Sequence, residues 1–189
     1  MNLLREFLLV GLVLGINLMA TLIYLFFLGN ESRKKRFFQL PVGIQKSLVG
    51  LFVGPLLVAP FLPQLNIYPA IPDAIKLPIS LLLTVGGLSF IILAFGKIGV
   101  IPSMKEKSHL ITRGVYRIVR HPIYAGTILM FLGLILYSNA LVSLFYFPIS
   151  IALYFTMTIF EERSLIQEYG PEYLEYQNQV PKRIIPFIL

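Results

Sequence analysis

Three ionisable side chains, Arg117, Arg120 and His121, stand directly against an apolar run in the stretch YRIVRHPIYAGTILMFLG, residues 116–133. Pro122 suits the first turn of a helix, where its missing N–H costs nothing, and His121 is then the N-cap. The free N–H groups of a helix start carry roughly half a positive charge. With Arg120 beside them, that mouth suits an anion such as a carboxylate. Arg117 reads more simply as an interfacial anchor for lipid phosphate. Further along, Glu161 and Glu162 close a second apolar run. Carboxylates at a helix C-terminus oppose its dipole, and these two interrupt an otherwise basic pattern. At about 100° per residue, one is expected to face inward and the other water. A site holding both arginine and glutamate suits a zwitterion, an ammonium and a carboxylate on one small molecule. Tyr124 lies one turn from His121 on the same helical face. Tyr116, Tyr169, Tyr173 and Tyr176, taken singly, fit interfacial anchors, and His109 fits a solvated loop residue.

The chain that must position these groups has 189 residues, 57% of them hydrophobic and 13% charged. Soluble domains carry about 25% charged residues, so an all-α membrane protein is expected. The absence of cysteine excludes disulfides, thiolate ligands and thiol catalysis. With only two histidines, a protein-bound metal is not expected. The net charge of +7 invites a nucleic-acid partner, but the basic residues flank apolar spans as membrane anchors do, so none is expected. The first apolar stretch is too long for a cleaved signal and its start carries only Arg5 with Glu6.

A helix that crosses a bilayer needs about 20 apolar residues. Five spans are read, at 7–28, 44–62, 77–95, 123–137 and 141–160. In the first, Gly11 and Gly15 form a G-x-x-x-G pattern that permits close helix approach. A polar, basic loop is expected after it, at 31–46. The second span is rich in Gly50, Gly54, Pro55 and Pro60, which predicts a kink. A Pro-rich loop, 63–76, leads to the third. The fourth is short for a crossing. It pairs with the fifth through a tight turn at Ser138-Asn139, with Pro148 bending the return helix. A polar tail follows, broken and restarted at Gly170-Pro171. Of the 16 basic residues only Arg5 and Lys76 fall on one side of this arrangement. Five crossings therefore place the Arg-His-Pro loop and the tail together in the cytoplasm. The expectation is one integral membrane domain over 1–189: three helices within 1–96, and the chemistry within 97–189.

HLITRGVYRIVRHPIYAG, then EERSLIQEYGPEYLEYQNQVP, then PFI resemble, in that order, the isoprenylcysteine carboxyl methyltransferase family. The resemblance runs from His109 to the end. It implies S-adenosylmethionine as cofactor, in a cytoplasmic pocket formed by the loop before the fourth helix, the helix 4/5 hairpin and the tail. By the family pattern Ser108, His109, Leu110, Ile111, Tyr116, His121, Pro122, Ile123 and Tyr124 line that pocket, and Glu161 contacts the cofactor from the opposite helix. Arg120, Glu161 and Glu162 are the catalytic candidates. The implied reaction is methyl transfer to the carboxylate of a lipid-modified, isoprenylcysteine-like small molecule or peptide, by a monomer among membrane lipids. Eukaryotic relatives carry an arginine shortly before the Glu pair to hold the acceptor carboxylate. Here that segment reads YFTMTIFEE, and Arg120, Arg163 and Arg183 are the alternatives.

A carboxylate is already ionised near neutral pH, so the protein's task is to align the reactants and exclude water. The acceptor's tail stays in the bilayer while its polar end meets the cofactor beside Tyr124 and the hairpin. Three other readings compete. A phospholipid amine N-methyltransferase needs a base such as His121 or Glu162. A small transporter component predicts charges within the spans, whose interiors carry none. A non-enzymatic membrane interaction protein with a degenerate site predicts no cofactor binding.

Overall fold

The computed structural model describes residues 3–65, 71–98 and 110–184. These are helical, with no strand among the described residues. The elements are α1 (Leu3–Leu28), α2 (Glu31–Gln39), α3 (Val42–Val58), α4 (Asp73–Ile98), α5 (Pro122–Ser138), α6 (Leu141–Tyr169) and α7 (Pro171–Gln179). Short 3-10 turns at Ala59–Phe61 and Gly114–Arg117 follow α3 and precede α5. Four stretches are long and apolar enough to cross a membrane: Phe7–Leu28, Val42–Phe61, Asp73–Gly96 and Leu141–Tyr169. α5, at 17 residues, is about 25 Å long against a hydrocarbon core of about 30 Å. It starts at His121, beside the C-terminal part of α6. It ends where the Leu141 N–H donates to the Leu65 carbonyl at 2.9 Å and Gln64 bonds Ser143.

Local chemistry sets the helix ends. Asn139 takes the left-handed conformation at φ 55° and closes the α5–α6 turn. Gly170, at φ 56°, separates α6 from α7, and Pro171 opens the latter. Two boundaries differ from the sequence reading. The basic stretch after α1 is a helix rather than a loop. Asn30 caps it by accepting from the Ser32 and Arg33 N–H groups, Glu31 sits in its first turn and Arg36 in its last, each favourable to the helix dipole. α6 also runs on to Tyr169. Glu161 and Glu162 therefore lie well inside a helix, away from the negative end of its dipole.

Small residues govern one helix contact, though not the one expected. α4 and α5 pack with Gly87, Gly126 and Gly133 between them. A Cβ on Gly126 would stand 2.5 Å from the Gly87 carbonyl oxygen, and one on Gly133 would stand 2.8 Å from that of Ser80. Such close backbone approach is a main source of helix association in lipid. A Cβ on Gly11 or Gly15 would meet nothing within 4 Å. The packed face of α1 is instead Val10, Leu14, Asn17 and Thr21, all buried at helical spacing. Asn17 is decisive there. Its Nδ2 donates to the Phe52 carbonyl of α3 at 2.6 Å, and its Oδ1 accepts from the Tyr146 hydroxyl of α6 at 2.7 Å. A buried amide needs such partners, so it turns its own face of α1 inward.

The C-terminal segment folds back over the start of α5. The Arg120 N–H donates to the Lys182 carbonyl at 2.9 Å and the His121 N–H to that of Arg183 at 2.8 Å. Around this junction Val115, Tyr116, Tyr173, Tyr176 and Val180 form a small core with Ala94 of α4.

Candidate functional site

Pro122 opens α5 with His121 at the N-cap, and the imidazole makes no capping bond. It turns to α6, where Nδ1 lies 3.4 Å from Glu161 Oε2 and Nε2 lies 3.2 Å from Glu162 Oε1. A carboxylate at each ring nitrogen suits the imidazolium, which donates from both. Burial by itself pulls the His121 pKa down, but hydrogen bonds and charge from the two glutamates outweigh it and leave the pKa raised.

Glu162 is the centre of a polar knot. Its side chain is 3% exposed, and Oε1 accepts from Arg120 Nε at 2.7 Å as well as facing His121. Oε2 accepts from Arg183 Nε at 3.0 Å and from Gln177 Nε2 at 3.1 Å. Arg120 completes its bonding by donating from Nη1 to the Val180 carbonyl at 2.7 Å. A buried carboxylate is tolerated only when paired this fully. The sequence reading expected one glutamate to face water, and neither does so fully. Glu162 is enclosed, while Glu161 faces a cavity. The anion that the α5 mouth attracts is the chain's own α6.

The cavity has a volume of about 540 Å³, within the roughly 300–1,000 Å³ usual for a small-molecule site. One part of its wall holds Arg120, His121, Tyr124 and Glu161, with Tyr116, Tyr173 and Tyr176 adjoining. The Tyr176 hydroxyl donates to the Tyr116 carbonyl at 2.7 Å. Burial raises the pKa of Tyr116, Tyr173 and Tyr176, with the charge of Glu161 adding to the effect at Tyr116, so these rings stay neutral. Another part is apolar: Phe37 and Phe38 of α2, and Leu48, Val49, Phe52 and Val53 of α3. Glu161 Oε1 accepts from the Tyr124 hydroxyl at 2.5 Å and from the Tyr24 hydroxyl of α1 at 3.0 Å. The Tyr24 ring packs edge-on against Phe37 and Phe52, with centroids 5.6 and 5.3 Å away. Tyr24 thus links the polar wall to the apolar one.

Leu110, Ile111, Tyr116, Arg120, His121, Pro122, Ile123, Tyr124 and Glu161 all line this one cavity. Ser108 and His109 lie outside the described residues, as does the PFI stretch. Glu162 stands behind the wall rather than in it. Of the arginines considered for an acceptor carboxylate, Arg120 and Arg183 are held by Glu162, and Arg163 is exposed with its guanidinium 5.5 Å from the Phe160 ring centre. The sequence reading missed Tyr24, Lys34 and Gln45, which also line the cavity. A phenol in an otherwise apolar span was the available signal for Tyr24. For Lys34 it was the spacing to Phe37 and Phe38.

The family model of phospholipid methyltransferases matches residues 75–172. Over 86 residues the chain is 35% identical to protein-S-isoprenylcysteine O-methyltransferase B of Arabidopsis thaliana, a match covering 44% of this chain and 43% of the relative. It is 33% identical over 87 residues to the protein-S-isoprenylcysteine O-methyltransferase of Schizosaccharomyces pombe, covering 45% and 37%. It is 36% identical over 91 residues to that of Homo sapiens, covering 47% and 32%. The chain therefore spans less than half the length of these curated relatives. No solved structure matches it.

Proposed function

This chain belongs to the phospholipid methyltransferase family, and on that premise we propose that it transfers a methyl group from S-adenosylmethionine to the carboxylate of a lipid-bearing, isoprenylcysteine-like acceptor at the cytoplasmic membrane face. The observation that carries the reading is the single cavity of about 540 Å³ that joins a charged, tyrosine-rich wall to an apolar one. A donor that is a zwitterionic nucleoside fits the first wall and a greasy acceptor fits the second. Five crossings, with α5 as the short one, keep the basic α2, the Arg-His-Pro segment and the tail on one side.

When S-adenosylmethionine is bound, its sulfonium supplies an electrophilic methyl. Glu161 offers a carboxylate to the ammonium of the methionine part, and Tyr24 and Tyr124 hold that carboxylate in place. Tyr116, Tyr173 and Tyr176 offer neutral aromatic surface for the base. Arg120 and Glu162 act as positioning residues, since each is consumed by the knot that fixes His121 and the tail. The acceptor needs no deprotonation, because a carboxylate is already ionised. The chain's contribution is alignment and exclusion of water.

The same geometry argues against an amine acceptor. That reaction needs a base, and the two candidates are occupied: His121 faces a carboxylate at each nitrogen, and Glu162 accepts from four side chains. The test is incubation of the purified chain with methyl-labelled S-adenosylmethionine, an N-acetyl-S-prenylcysteine and phosphatidylethanolamine together. Label is expected in a base-labile methyl ester of the prenylcysteine. Label in the phospholipid, or in neither, overturns the reading.

A further inference from the structure

The apolar wall lies outside residues 75–172 and is built by α2 and α3. On α2, Lys34, Phe37 and Phe38 fall at i, i+3 and i+4, one face of the helix, and all three line the cavity. The neighbouring basic residues turn elsewhere. Lys35 and Arg36 are exposed, and the Arg33 guanidinium lies 4.1 Å from the centre of the Phe26 ring. Three cations line the cavity. Arg120 and His121 are paired with glutamates, whereas Lys34 forms no ion pair with any described residue. Lys34 is partly buried on a helix face that it shares with two phenylalanines, and a cation in such a place calls for an anion.

Gln45 supplies a second, independent observation. It is 4% exposed, and its Nε2 donates to the Leu40 carbonyl at 2.8 Å and to the Phe38 carbonyl at 3.3 Å. Two carbonyl acceptors fix which end of the amide is nitrogen. The other end, Oε1, is the one buried side-chain polar atom without a hydrogen-bond partner among the described residues. Buried acceptors are nearly always satisfied, and an exception needs an explanation. Gln45 lines the same cavity as Lys34. Its oxygen is covered, and turning the amide away from the Leu40 and Phe38 carbonyls brings it to a donor in the cavity.

We propose that Lys34 and Gln45 form the head-group subsite for the acceptor: Lys34 pairs with the carboxylate of an α-acylamino acid, Gln45 Oε1 accepts the N–H beside that carboxylate, and the tail lies along α3. This rests on the acceptor reading above. It adds the demand for two features at once, an anion and an adjacent N–H, on an amphiphile.

The experiment is calorimetric titration of the full chain, in detergent and without donor, with an N-acetyl-S-prenylcysteine, with the prenylthiopropionate that lacks the acetamido group, and with phosphatidylethanolamine. Methyl transfer to the first is followed in parallel. Lys34→Gln is expected to weaken prenylcysteine binding about tenfold or more, Lys34→Arg to stay within about threefold, and Lys35→Gln to match wild type. The wild-type chain is expected to prefer the acylamino acceptor about tenfold over the thiopropionate, and Gln45→Leu to lose that preference while binding the thiopropionate normally. Unchanged binding in Lys34→Gln, an equal loss in Lys35→Gln, or no wild-type preference for the N–H overturns the subsite. So does tighter binding of phosphatidylethanolamine. Binding that follows the expected pattern without methyl transfer sinks the enzyme reading and leaves the subsite standing. Transfer with Lys34 indifferent does the reverse.

Discussion

On the side contributed by α5, α6 and α7, Arg120 and His121 are tied to Glu161 and to Glu162 behind the wall, which accepts from Arg120, His121, Gln177 and Arg183, while Glu168 lines the cavity with no ion pair among the described residues. The wall contributed by α2 and α3 is apolar except for a lysine and a glutamine oxygen that have no partner among the described residues. Most of the first wall's charge is satisfied by the chain itself, so its cost of assembly is met on folding. The second carries polar groups whose partners must come from outside. α5 and α6 of the first wall lie within the residues matched by the family model, whereas most of α7, Arg183 and the whole of the second wall do not. On the function proposed above, a self-satisfied wall beside one with unmet demands is a physical route to changing the acceptor without rebuilding the chemistry.

The contrast breaks or sharpens on four measurements. Glu162→Ala strands the buried Arg120 and leaves the partly exposed Arg183 without its carboxylate, and a loss of about 3–5 kcal/mol is expected in thermal or denaturant unfolding in detergent. Lys34→Ala on the other wall should shift the same curve by no more than about 0.5 kcal/mol. Similar values for the two variants dissolve the distinction between the walls. Next, Gly126→Ala drives a Cβ into the Gly87 carbonyl at 2.5 Å, and a destabilisation of about 1–3 kcal/mol is expected. Gly11→Ala, which meets nothing, should be neutral or slightly stabilising. A smaller effect, about 1 kcal/mol of stability, is expected for Tyr24→Phe, which removes the hydroxyl bridge to Glu161 while keeping the ring between Phe37 and Phe52. A wild-type melting temperature in that variant means that the bridge between the walls is not formed in solution.

The smallest expected effect is a pH limb. The His121 pKa is raised in the folded chain, so the stability it contributes is complete below the unfolded value of about 6.5 and is lost as pH rises through the folded value. The melting temperature should therefore decline on the alkaline side of pH ~6.5. The slope should flatten in His121→Gln. A wild-type slope of the opposite sign over that range is incompatible with an imidazolium held between two glutamates.

Much of this molecule follows from the sequence by itself. Length and apolar composition place α1, α3, α4 and α6, since a crossing helix is a property of about 20 consecutive residues. Pro122, Asn139 and Gly170 mark ends that depend on the backbone chemistry of one residue and its neighbours. The grouping of His121, Tyr124 and Glu161 at one end was also legible, because charge beside an apolar run has few places to go. Helix facing was not. In a bundle meant for lipid, the packed face and the outer face are both apolar, so periodicity does not tell them apart. For that reason Gly11 and Gly126 look alike in the sequence while only the latter is in contact. Glu161 and Glu162 are neighbours too, yet the rotation of about 100° between them sends one to the cavity and the other into a knot. The roles of Tyr24, Lys34 and Gln45 were likewise decided only by the tertiary structure. What they face, such as Glu161 at a separation of 137 residues from Tyr24, is set by how the helices pack, and no local pattern along the chain encodes it.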